Sequence, residues 1–139
     1  MSVNLTVLKN KAEIALNAME EHAKRIGASG VAVFLYSEDE NTKELCSVMR
    51  IIGAIHTIAE DHTGYNFIAL AYSKIAESIE TGKNSGNLAR PMIEGEFGYQ
   101  GSAMVKDRNG MIITSFSGCT GDVDLEIAQS GLLSLTEKN

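Results

Sequence analysis

GYQGSAMVKDRNGMIITSFSGCTGDVDLEIAQSGL, residues 98–132, is the stretch whose reading decides the fold. Within it Ser102 to Lys106 and Met111 to Phe116 suit strands, and Asp107-Arg108-Asn109-Gly110 lies between them. Asn-Gly closing a short polar tetrapeptide is a hairpin signal, because positive φ costs little at both residues. Ser117-Gly118-Cys119-Thr120-Gly121 then breaks the strand period. From Asp122 the period becomes helical, with Leu125, Ala128, Leu132 and Leu135 on one face. The unit reads as hairpin, glycine-rich corner and a helix that folds back onto the sheet.

Upstream, Leu8, Ala12, Ala15, Met19, Ala23 and Ile26 form a core-facing stripe on a helix of about twenty residues. Thr6 is its expected N-cap and Gly27 its C′ residue. Val31 to Ser37 is a nearly unbroken apolar run, which suits a strand covered by helices on both faces. Glu44 to Ile52 alternates loosely and suits its antiparallel partner. Asn66 to Glu80 reads as a second helix with Ile68, Tyr72, Ile75 and Ile79 on one stripe. The run from Thr81 to Gly98 is long for a loop, and long loops often form lids or site walls. The order helix, two strands, helix, long loop, two strands, helix makes an α+β layered domain.

Residues 115–132, SFSGCTGDVDLEIAQSGL, resemble the signature of the GlcG/HbpS family of haem-binding or haem-degrading domains. In that family a hairpin ends in a Ser-Gly corner, and an acidic helix closes in Ala-x-x-Gly-Leu. Ser117-Gly118, then Asp124 and Glu126, then Ala128 through Gly131-Leu132 match. LCSVMRIIGA (45–54) is similar to the family's second strand, with Arg50, Gly53 and Ala54 in place. IALAYSKIAES (68–78) resembles its middle helix. The likeness runs over nearly the whole chain at low identity. It implies one domain over residues 1–139, a profilin-like antiparallel β-sheet flanked by α-helices in α/β/α layers, and a homo-oligomer, a dimer or larger. It also implies haem as a cofactor. Three departures stand out. Tyr99-Gln100-Gly101-Ser102 replaces a glycine-rich segment with proline, Ile112 and Ser115 stand where glycines are common, and Ile52 stands where an acid is common. Side chains in place of strand glycines shrink or reshape any pocket beside them.

The totals bound the function. A chain of 139 residues can bury roughly two-thirds of its unfolded surface without staples. Eighteen acidic against twelve basic residues, a net charge of −6, argue against nucleic-acid binding. No apolar run is long enough for a membrane span, and the first residues lack a secretory apolar core, so a cytoplasmic protein is expected. Cys46 and Cys119 fit neither a zinc spacing nor a disulfide framework and are expected as thiols.

The candidate cofactor contacts are Met19, His22, Arg50, Met92 and Tyr99, with His22 as the metal ligand. His22 lies beside the first helix's stripe near Met19, and both residue types ligate haem iron; the alternative is a boundary histidine reaching water. Arg50 could hold a carboxylate such as a haem propionate, or form a structural pair with an acid. Tyr65, Phe67, Met92, Phe97 and Tyr99 gather around the long loop, as a flat ligand, a core or a subunit interface would each require. His56, Glu60, Asp61 and His62 could hold zinc or non-haem iron, or form a solvated turn. The Ser117–Gly121 corner offers backbone amides to an anion, yet Asp122 and Asp124 already cap the helix start. For Cys119 the helix start favours a thiolate and the same acids oppose it. No nucleophile–base pair and no phosphate loop is present. The expected function is therefore a small-ligand-binding module; an enzyme acting on a small organic acid and an oligomeric accessory protein without ligand are the alternatives.

Overall fold

The computed structural model describes residues 4–38, 43–54, 64–87, 90–108 and 110–136. In chain order they form α1 (Leu5–Arg25), β1 (Gly30–Ser37), β2 (Cys46–Ile52), α2 (Phe67–Thr81), β3 (Ser102–Asp107), β4 (Gly110–Ser117) and α3 (Gly121–Thr136). The four strands make one antiparallel sheet in the order β2-β1-β4-β3. The α+β layers expected from the sequence are present.

β1 is buried along its whole length because both of its faces are covered. Ala32, Phe34 and Tyr36 pack with Phe116 against α1 and Ile127 of α3. Val31, Val33 and Leu35 pack with Met111 and Ile113 against Ala71 and Ile75 of α2. Alternate residues thus point into opposite layers, as the pleat requires. Fully burying a side chain such as Phe34 or Phe116 contributes about 1.5–3 kcal/mol. β3 and β4 pair from Ser102↔Ser115 to Asp107↔Gly110, so the expected hairpin forms; Asn109 itself lies outside the described residues.

Three local expectations change. Asn4, not Thr6, caps α1, because its Oδ1 accepts from the amides of Thr6 at 3.0 Å and Val7 at 3.2 Å. Ile26 ends the helix half-exposed instead of completing the stripe, and Gly27 follows with φ 72°. Finally, α2 and α3 are both rotated relative to their apolar stripes. α2 buries Ala71, Lys74, Ile75, Glu77 and Ser78 and leaves Ile68, Tyr72 and Ile79 part-exposed. α3 buries Asp124, Ile127, Ala128 and Gly131, whereas Leu125, Leu132 and Leu135 are only partly covered.

Close approach is one cause of the α3 rotation. A Cβ on Gly131 would lie 2.7 Å from Met19 Cγ and 3.2 Å from the Ala15 carbonyl oxygen, so α1 and α3 meet where α3 has no side chain. The Ser117-Gly118 corner has a similar cause: a Cβ on Gly118 would overlap the Ser29 carbonyl oxygen. Only glycine lets β4 leave the sheet so close to the start of β1.

Candidate functional site

The rotation also brings a buried ion pair together. Lys74 comes from the middle of α2, in one helical layer, and Asp124 from the first turns of α3, in the other. They meet past the end of β4, Nζ to Oδ2 at 2.9 Å, each side chain 3% exposed. Lys74 Nζ also donates to the Phe116 carbonyl at 2.8 Å. Asp124 Oδ1 accepts the Cys119 amide at 2.8 Å, so the carboxylate reaches back over the corner and satisfies it. Asp122 stays exposed and takes the Thr120 hydroxyl at 2.6 Å, which holds its pKa down. The capping reading of the two acids is thus the one realised.

Burial is the largest influence on both members of the pair. It lowers the Lys74 pKa and raises that of Asp124, and in each case the partner's charge opposes the shift. Neighbouring Cys119 is a free thiol whose pKa is raised, first by burial and then by Asp124. A raised pKa keeps it protonated and poorly nucleophilic.

This pair forms the floor of a cavity of about 610 Å³. Tyr65, Phe67 and Leu70 wall it from the start of α2, and Gly98, Tyr99 and Gln100 from the loop before β3. Ser117, Gly118, Cys119 and Gly121 complete it from the corner. The Tyr65 and Phe67 rings stack at 6.1 Å and the Phe97 and Tyr99 rings at 5.9 Å. Hydrogen bonds fix the loop that carries the outer wall. Ser85 exchanges bonds with Ser102, its amide to the carbonyl at 3.1 Å and its hydroxyl from the amide at 3.0 Å. Asn84 accepts the Met104 amide at 3.0 Å, and Glu77 the Gly86 amide at 2.7 Å. Arg90 forks onto Glu96 at 2.9 and 2.7 Å, and Glu96 also accepts the Ile93 amide at 3.1 Å. Gly86 and Gly98 of this long loop line the cavity.

The sequence candidates do not gather in one place. Tyr99 lines the cavity, and Met92 packs on Gly98 beside it. Met19 is wholly buried between α1 and α3. His22 lies on that same side of the sheet with both ring nitrogens engaged: Arg25 donates to Nδ1 at 3.2 Å, so Nδ1 accepts and Nε2 donates to Glu126 at 3.0 Å. Arg50 is spanned by Asn17 at 2.8 Å, Glu20 at 3.0 Å and Glu13 at 3.4 Å, a structural pairing of β2 with α1. Arg50 also borders a smaller cleft of about 350 Å³ against Leu8, Ala12 and Val48. His56, Glu60, Asp61 and His62 lie outside the described residues. Among the described residues no group of three or more His, Cys, Asp or Glu could hold a metal, and no helix is long and apolar enough to cross a membrane.

Sequence reasoning missed Lys74 and passed over Asp124 as a mere cap. One signal was available: a lysine amid Ile68-Ala69-Leu70-Ala71 and Ile75-Ala76, flanked at i−3 and i+4 by the small residues Ala71 and Ser78. Small neighbours on one face let a helix approach a sheet and carry the lysine inside.

No protein-family model matches the chain, and no curated protein matches it. Among solved structures it is similar to a double mutant of HbpS from Streptomyces reticuli, with TM-score 0.64, 21% identity, and coverage of 97% of this chain and 89% of that one. It is also similar to the complex of PduOC with haem, with TM-score 0.65, 12% identity, and coverage of 96% and 95%. The chain therefore has a GlcG/HbpS-like fold over nearly its full length.

Proposed function

We propose that the protein is a binding module for a small, flat, largely apolar ligand, haem or a related cofactor, held between α2, the loop before β3 and the β4–α3 corner. The observation that carries this reading is the aromatic-walled cavity over a buried polar floor. The haem complex of a protein with a like fold supports haem as the first ligand to try. The residues present suit it: stacked aromatic rings match a flat macrocycle, and tyrosine, present in the wall, is a ligand type found on haem iron. Lys74 is already matched by Asp124, so propionates belong at the mouth, not the floor. Tyr99 and Met92 are the sequence candidates that this reading keeps; Met19, His22 and Arg50 mark a competing position on the α1 side.

Titration of the protein with hemin separates the two. The expected outcome is a saturable Soret shift that Leu70→Trp, which puts an indole into the cavity, weakens strongly and His22→Ala leaves intact. A shift lost in His22→Ala and kept in Leu70→Trp moves the site to α1. Absence of any saturable shift removes haem.

The module is also proposed to form a homo-oligomer. Met49 and Ile51 of β2, 39% and 49% exposed, face the α2 side of the sheet, and Ile68, Tyr72 and Ile79 of α2 are part-exposed as well. Tyr72 reaches β2 through a 3.0 Å hydrogen bond between its hydroxyl and that of Ser47. Exposed apolar side chains of this kind support association.

A further inference from the structure

We infer that the end of the ligand reaching the cavity floor is an uncharged hydrogen-bond acceptor, a carbonyl above all, and that the site rejects a carboxylate there. The inference rests on the proposed binding role of the cavity and names the ligand class that it takes. Lys74 is the only cation among the described residues lining the cavity. Its Nζ gives one N–H to the Phe116 carbonyl and one to Asp124 Oδ2. An ammonium has three donors, so one remains. Asp124 matches its charge at 2.9 Å in a site where both side chains are 3% exposed. The floor therefore carries no net positive charge, and the third N–H is the donor on which the inference depends.

A carboxylate arriving there would set two buried anions against one ammonium, and burial makes such an imbalance costly. Neighbouring groups do not correct it. Arg90 is held in a fork by Glu96. Glu77, behind Gly86, adds a further carboxylate, and Asp122 and Asp124 offset the positive end of α3. A carbonyl oxygen that accepts the third N–H would leave the charges balanced. About 610 Å³ is ample for a ring system bearing such a group.

The test is a matched pair of ligands with one skeleton, cinnamamide and cinnamate, titrated calorimetrically into the full chain at pH 7. The amide is expected to bind at least about tenfold tighter. Asp124→Asn keeps the side chain's size and removes the compensating charge, and is expected to invert the order in favour of cinnamate. Equal or tighter binding of cinnamate by the unaltered protein overturns the inference, and that comparison stands alone where the variant does not fold. An order unchanged in folded Asp124→Asn overturns it as well. Naphthalene, which has no head group, separates this failure from that of the binding role. If naphthalene binds, is blocked by Leu70→Trp, and the amide and acid are not discriminated, the charge argument fails and the binding role survives. If none of the three binds, both fail.

Discussion

Lys74 and Asp124 would each be a poor choice for burial alone. Removing one partner of a buried pair leaves an uncompensated charge and costs about 3–5 kcal/mol, whereas removing both charges is often neutral. Lys74→Met should therefore lower unfolding free energy by about that amount, and Lys74→Met with Asp124→Asn should recover most of it, as urea denaturation would show. The single variant carries a pH signature. Burial already raises Asp124 above its unfolded pKa, and loss of the ammonium raises it further. A group with a raised folded pKa favours the native state below its unfolded pKa and loses that advantage as pH rises through the folded one. The deficit of Lys74→Met should thus be small in acid, below the ordinary aspartate range, and grow towards neutrality. A deficit independent of pH would show that Asp124 escapes to solvent when its partner is gone.

Helices α2 and α3 show where sequence reading stops. Their existence, order and ends within a few residues follow from apolar period, from Asn66 before α2 and from the glycine-rich corner before α3. Their rotation does not, because apolar period assumes that the greasiest stripe faces inward. Here each helix is turned by roughly one residue, ~100°, towards a charged side chain whose partner lies 50 positions away. Nothing local to Ile68–Ser78 announces Asp124, and nothing local to the corner announces Lys74. The same blindness hid the cavity floor: the aromatic residues around the loop were legible as a cluster, but the ion pair beneath them was not. Two substitutions test the rotation by chemical denaturation. Ile127→Ala, in the core, should cost about 2–5 kcal/mol and Leu125→Ala clearly less. Gly131→Val should cost about 1–3 kcal/mol by driving α3 off Met19.

At the scale of the whole molecule, the ion pair ties the α2 layer to the α1–α3 layer around the end of β4. A ligand contacting Lys74 therefore touches both layers, and occupancy should raise the melting temperature of the entire fold as one transition. The outer strands differ in a way that bears on association. Ile51→Lys, on the exposed α2-side face of β2, should reduce association in sedimentation velocity while changing stability by no more than about 0.5 kcal/mol.

The bonds from Asn84 and Ser85 to Ser102 and Met104 have a consequence for growth. They cover the Ser102–Met104 part of the sheet's border at β3, whereas among the described residues no strand pairs with the border at β2. A ribbon with a single open margin can be lengthened from one side only. Two copies joined at the β2 margin would use up the less covered border, which favours a twofold pair over a filament.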